Sequence, residues 1–349
     1  LQNLGNTCFM NSALQCMSNT PFLTHEYFLS GKWVHEVNAD NPLGMQGAMA
    51  KAYAALIRAL WAPTSRDCAV APRHFKSIMA QFAPQFSGYQ QHDSQELLGF
   101  LLDGLHEDLN RVKVKPYVES KDDDGRPDNE VANEQWDAHR SRNDSIVVDM
   151  FQGQYKSRVQ CATCSNISVT FDPFMVLALP IPATTPPARF VITACFDAFV
   201  AEERLDPTET VYCRKCKEHR EATKKVDLWR APPTLVVALK RFGQGGRYRR
   251  EKIGAMVDCP LVLDLSERVL GPRRNNPAPA GDGDVEDESM LYDLYAVTNH
   301  FGGLGGGHYT AYAQSPTTGK WYDFDDSRVT ETDAARVVSP ASYVLFYRR

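Results

Sequence analysis

The sequence predicts an α+β fold. Three observations carry that prediction. The first hundred or so residues repeat apolar side chains at helical spacing, residues beyond about Ile146 read as short strands between turns, and the two textures follow one another without alternating. The change of texture divides the chain into a mainly helical part, 1–145, and a β-rich part, 146–349.

Taken in order, Phe9, Met10, Ala13, Leu14 and Met17 set a first helix, and Met45, Met49, Tyr53, Leu56, Ile57 and Leu60 a second. A third starts near Asp93. Leu97, Leu98, Leu101, Leu102, Leu105 and Leu109 form its apolar face, and Asp93 with Glu96 has capping-box spacing. Glu119 to Glu130 is acidic and turn-rich and reads as a solvated loop. Val159 to Phe171 reads as two strands around Cys161 and Cys164, and Thr234 to Phe242 as a buried strand. Leu291 to Asn299, His308 to Gln314, Trp321 to Phe324 and Tyr343 to Tyr347 read as successive strands of an antiparallel sheet. Pro182 to Ala188 and Gly271 to Ser289 have linker composition.

The 349 residues carry 38 basic and 43 acidic side chains, a formal net charge of −5, which argues against a nucleic-acid protein held by general charge. Hydrophobic residues, at 43%, suffice for a large core. No apolar run reaches the roughly 18–20 residues that span a bilayer, and no secretory segment opens the chain. It starts at Leu1 without an initiator Met, so a piece of something longer is expected. Nine cysteines, an odd number in a large chain, argue for a reducing compartment over a disulfide scaffold. Cytoplasm and/or nucleus is the expected location.

Cys8 falls at the start of the first helix. A helix start favours an anion, its unpaired N–H groups can donate to an oxyanion, and the thiolate is the reactive form of cysteine. Asn3 and Asn6 are nearby amides able to add a donor. A thiolate works best with a histidine that a carboxylate orients. His308 stands out because five glycines in the six positions 302–307 precede it and a strand follows. His300, across that loop, is the competitor and reads as a strand-end histidine without chemistry. Asp325 and Asp326 follow on the next strand; they alternate in direction, so only one faces His308, and spacing alone leaves the choice open.

Together these segments resemble the ubiquitin-specific protease family of deubiquitinating cysteine proteases. The resemblance rests on Asn3 to Ser12 for a cysteine box, Gln90 to Leu97, Leu239 to Phe242, and Gly306 to Tyr312 with Trp321 to Ser327 for a histidine box, all in the family's order. It implies a papain-like fold with thumb, palm and zinc-tipped fingers. It implies Cys8 as nucleophile, His308 as base, Asp325 as orienter, Asn3 as oxyanion donor and Asp326 as a helper. Asp93, Gly306, Gly307 and Tyr309 would bind the substrate, Asp93 also serving as a helix cap. Gly302 to Gly307 and Gly243 to Lys252 would border a channel for the ubiquitin tail; Arg247, Arg249, Arg250 and Lys252 read as a solvated loop face. The implied partners are ubiquitin and ubiquitinated proteins, not nucleic acid or membrane, and the catalytic part is expected to be monomeric. The subgroup that looks most similar has an additional N-terminal domain, ubiquitin-like domains and a long insert near Pro182 to Ala188. The first two lie outside the region compared, and this sequence lacks the insert.

Cys161-x-x-Cys164 and Cys213-x-x-Cys216 are separated by 48 residues. Two such turns complete a tetrahedral zinc site of four cysteines with no open position, so structural zinc is expected. No thioredoxin-like βαβ pattern surrounds either pair. Two rival readings remain: a catalytically silent ubiquitin-binding module on the same fold, and a zinc-ribbon nucleic-acid binder using Arg214, Lys215, Lys217 and Arg220.

Overall fold

A computed structural model describes residues 1–62, 68–119, 121, 123–182, 189–242, 252–272, 289–303 and 306–349. The helices of the first part are α1 (Cys8–Ser18), α2 (Ala48–Trp61), α3 (Arg73–Phe82), α4 (Ser94–Asp108) and α5 (Asp128–Arg140), with a π-helical segment at Phe22–Leu29; α6 (Ile146–Phe151) leads into the second part. There follow β1 (Gly153–Cys161), β2 (Ile167–Phe174), β3 (Val176–Pro180), β4 (Arg189–Val191), α7 (Ile192–Val200), β5 (Glu203–Arg204), β6 (Val211–Cys213), β7 (Glu218–Arg220), β8 (Ala222–Arg230) and β9 (Thr234–Lys240). The chain closes with β10 (Met256–Asp258), β11 (Val262–Asp264), β12 (Leu291–Gly303), β13 (Gly306–Gln314), β14 (Trp321–Asp325), β15 (Arg328–Thr332) and β16 (Ser342–Arg348).

The large sheet runs β15-β14-β13-β12-β16-β9-β3, with β11 flanking β12. All its pairs are antiparallel except β3 with β9. Both faces of its centre are covered. Along β9, Val236 and Ala238 join the core shared with α1, α2 and α4, while Leu235, Val237 and Leu239 join the core shared with α7. A strand buried on both sides needs no polar alternation, which is why Leu235 to Leu239 is one apolar run; the strand ends at Lys240, short of Phe242. α1 is buried on every side and packs on β12, β13 and β14. The Cys161–Cys164 turn joins β1 to β2 at the end of the second sheet, β2-β1-β8-β5, and the Cys213–Cys216 turn joins β6 to β7, a separate two-stranded sheet.

Several expectations are corrected. The glycine stretch is not one open loop: Gly302 pairs with Gly307 and Gly303 with Gly306, so the strands extend to the hairpin tip. Residues 304 and 305 lie outside the described set, as do 183–188, 243–251 and 273–288 of the other expected loops and linkers. The acidic stretch ends early because Asp128 and Glu130 start α5, where carboxylates suit the helix N-terminus. No helix among the described residues is long and apolar enough to cross a membrane.

α2 depends on a distant cap. Its N-cap residue is Gly47, which has no side chain to offer. The fully buried Asp108, at the end of α4, supplies the acceptors. Its Oδ1 receives the N–H of Met45 at 2.7 Å and of Gly47 at 3.1 Å, and its Oδ2 that of Ala50 at 3.1 Å. Asp108→Ala should cost about 3–5 kcal/mol, since two buried and one part-buried N–H group lose a charged acceptor. Urea unfolding followed by circular dichroism measures this, with Asp108→Asn expected between the two.

Candidate active site

Cys8 is the first residue of α1 and is buried. The loop before it is wound tightly by two left-handed residues, Gly5 (φ 103°) and Asn6 (φ 53°). A Cβ on Gly5 would stand 2.8 Å from the Tyr89 ring, so this turn demands glycine. Asn3 Oδ1 accepts from Gly5 N at 2.9 Å and Thr7 N at 3.1 Å, and Leu4 N donates to Thr7 Oγ1 at 2.8 Å. The sequence thus places the thiol at the positive end of a buried helix.

β13 and β14 bring His308 and Asp325 together. His308 Nε2 lies 2.6 Å from Asp325 Oδ1, so an Nε2–H donated to the carboxylate leaves Nδ1 as the basic nitrogen. Asp326 follows in a two-residue turn between β14 and β15, with φ at 49°. That twist aims it elsewhere: Asn3 Nδ2 donates to its Oδ2 and Asn11 Nδ2 to its Oδ1, both at 2.8 Å. The two adjacent carboxylates therefore divide their work, one on the imidazole and one on the amides beside Cys8.

A cleft of about 580 Å³ lies alongside, lined by Asn6, Gln90, Gln91, His92, Asp93, Phe242, His300, Gly303, Gly306, Gly307 and Tyr309. All four residues expected to bind substrate are in this lining. Asp93 caps α4 by accepting from Gln95 N at 2.7 Å, and its second oxygen accepts from Tyr343 OH at 2.7 Å. His300 is buried and edge-on to Phe242, 4.6 Å in centroid distance from Tyr309. It packs behind Gly307, where a Cβ would meet its Nε2 at 2.5 Å. It forms part of the wall and sits apart from Asp325.

Sequence reasoning gave no role to Gln91. Its Nε2 donates to Gly307 O at 2.5 Å and lies 3.4 Å from Cys8 Sγ, and Gly307 N donates to its Oε1 at 2.8 Å. The available signal was the polar run Gln90 to Asp93 directly before an apolar helix, within a family-like segment.

The four CxxC sulfurs lie within 4.8 Å of one another, close enough to hold a metal ion. The two turns share one geometry. Ser165 N returns to Cys161 O at 3.0 Å and Lys217 N to Cys213 O at 2.7 Å, and both Ser165 (φ 57°) and Lys217 (φ 58°) are left-handed. The backbone N–H groups of Cys164 and Thr163 aim at Cys161 and bring its pKa down to about 6. Four thiols this close ionise together only around a shared cation, so the donor set fits a metal. None of the nine cysteines is in a disulfide.

Known proteins resemble this chain along its whole length. A family model described as ubiquitin carboxyl-terminal hydrolase matches residues 1–347. Ubiquitin carboxyl-terminal hydrolase 9 of Arabidopsis thaliana is 32% identical, covering 100% of this chain and 65% of the relative. Human ubiquitin carboxyl-terminal hydrolase 15 is 29% identical with the same two coverages. The chain thus spans about two thirds of these relatives' length. The matched spans run to 607 and 659 positions, so the relatives carry inserted residues within them. Among solved structures, the SAGA DUB module of Ubp8, Sgf11, Sus1 and Sgf73 bound to monoubiquitin aligns with a TM-score of 0.72 at 23% identity, over 100% of this chain and 68% of that one. The same module bound to ubiquitin aldehyde gives 0.70 at 22%, with coverages of 100% and 68%. At these identities the structural likeness concerns the fold.

Burial, with the Lys252 charge as a second cause, brings the pKa of His300 down to about 4, against roughly 6.5 in an unfolded chain. Between those values the unfolded chain holds a proton that the folded one rejects. The His300 contribution to stability is therefore full above roughly pH 6.5, falls on acidification and levels off below about 4, a loss of about 3 kcal/mol. Burial shifts His106 and His139 the same way. Urea midpoints measured from neutral pH down to pH 4 should show the slope, and His300→Gln should remove its share.

Proposed function

The chain belongs to the ubiquitin carboxyl-terminal hydrolase family, and on that premise we propose that it is a deubiquitinating cysteine peptidase acting through Cys8, His308 and Asp325. Its substrates are ubiquitin conjugates, cut after the last glycine of ubiquitin. The observation that carries the reading is the His308–Asp325 bond, made between the two strands, β13 and β14, on which the helix bearing Cys8 packs.

The mechanism follows from the residues. Cys8 Sγ attacks the terminal glycine carbonyl while His308 takes the thiol proton at Nδ1. Charge on the carbonyl oxygen is met by N–H groups at the start of α1 and by Asn3, whose amide Asp326 holds in place. Collapse breaks the C–N bond, and His308 returns the proton to the departing lysine amine. Water, deprotonated by His308, then attacks the thioester; the carboxylate leaves and Cys8 recovers its proton. Asp325 fixes the orientation of the imidazole and which of its nitrogens carries the hydrogen. The cleft beside Gly306, Gly307 and Tyr309 takes the extended tail, and Asp93 offers charge to a basic residue of it.

The metal in this reading is zinc, held by Cys161, Cys164, Cys213 and Cys216. It joins the β1–β2 turn to the β6–β7 turn and does no chemistry, since four protein sulfurs leave no open position. A monomer in the cytoplasm and/or nucleus completes the proposal, with no nucleic-acid or membrane partner.

Ubiquitin carrying a C-terminal electrophile should form one adduct, mapped by mass spectrometry to Cys8. Cys8→Ala should lose on the order of 10⁴-fold in cleavage rate while still binding ubiquitin. No adduct with the unaltered chain would favour a silent ubiquitin-binding module. Cys161→Ser or Cys213→Ser should lose zinc by elemental analysis and lower the melting temperature by on the order of 5 °C. Unchanged zinc content and melting would refute the four-cysteine assignment.

A further inference from the structure

The most economical explanation of the Gln91 contacts concerns what they displace. A primary carboxamide carries the same C=O and N–H groups as a peptide bond. Gln91 presents both to one residue: its Oε1 accepts from Gly307 N at 2.8 Å and its Nε2 donates to Gly307 O at 2.5 Å. This is the two-point pairing that a neighbouring extended strand makes with a strand residue. The same Nε2 lies 3.4 Å from Cys8 Sγ, and Cys8 is only 3% exposed.

Gly307 is shaped for such an approach. On its far side a Cβ would strike the Phe301 carbonyl and the His300 ring, so its backbone is pinned from behind and offers its N–H and C=O to the cleft. An extended glycine-rich tail entering that cleft needs the same two groups and the same space in front of the sulfur.

We propose that the Gln91 carboxamide is an internal surrogate for the substrate's peptide bond: it occupies the Gly307 backbone and shields Cys8 until an extended tail displaces it. This rests on the reading of Cys8 as nucleophile and of the cleft as tail channel. Gln91 is thereby a positioning residue with two effects. It lowers the fraction of molecules open to the tail, which raises the apparent KM by the inverse of that fraction, and it slows attack on Cys8 by any electrophile. It takes no part in bond making, so kcat is set elsewhere.

The test compares the full chain with Gln91→Ala and Gln91→Glu. The glutamate keeps the acceptor for Gly307 N but loses the donor to Gly307 O and to the sulfur. Alkylation by iodoacetamide is followed by peptide mass spectrometry, and the exposed Cys68 serves as reference in the same sample. Gln91→Ala should raise the Cys8 to Cys68 rate ratio on the order of tenfold, the effect of releasing about two net hydrogen bonds. Its KM for a ubiquitin C-terminal amide substrate should fall, with kcat within about twofold. Gln91→Glu should also raise the ratio, by less. Unchanged ratios in both variants, with melting temperatures kept, would overturn the proposal. So would a fall in kcat with the ratio unchanged, which would make Gln91 part of the chemistry. If the ratio rises but no variant reacts with the ubiquitin electrophile, the shield stands and the deubiquitinase reading falls.

Discussion

One carboxylate joins the two parts of this molecule. Asp326 stands in the turn after β14 and accepts from Asn3 in the loop before α1 and from Asn11 within α1. The residue before it, Asp325, holds His308. Nucleophile and base belong to elements about 300 positions apart in sequence, and a single two-residue turn touches the supports of both. Its left-handed residue sends one carboxylate toward the imidazole and its neighbour toward the helix start. Much else serves to keep that turn against α1: a helix buried on all faces, a sheet covered on both, and aromatic packing beneath the cleft.

The parts of the fold legible in sequence are those with a strong periodic signal. α1, α2 and α4 each bury a continuous stripe, and the central strands are apolar because they are enclosed on both sides. α5 escaped because only Val131 and Ala132 of it are buried; it is held instead by polar contacts and by Arg230 over the Trp136 ring. The Phe22–Leu29 segment escaped because its π-helical winding breaks the 3.6-residue rhythm. The glycine run suggested a long loop because glycine has no side chain to declare a strand, yet Gly307 is there since the packed His300 ring leaves no room for a Cβ.

The candidate site divides in the same way. Cys8, His308 and the four clustered cysteines stand out by residue type and local spacing. The choice between Asp325 and Asp326 did not, because it depends on the φ of a turn residue. Nor did Gln91, whose partners are 83 and 216 positions away and one of which is a backbone. Asp93 shows why composition alone leaves roles open: the same carboxylate caps a helix, accepts from Tyr343 and faces the cleft.

The order of the large sheet has a consequence for self-association. Its outer strand, β15, is the neighbour of the strand bearing Asp325, and an edge of this kind invites a foreign strand to pair with it. Arg328, Thr330 and Glu331 are exposed there, and Glu331 is tied to Lys320 at 2.9 Å. At the opposite edge β3 ends at Pro180, which has no N–H to donate. Charge on one rim and proline on the other discourage stacking of sheets between copies. On the β15 side, that same resistance to aggregation keeps an intruding strand from pulling the Asp325 turn out of register with His308.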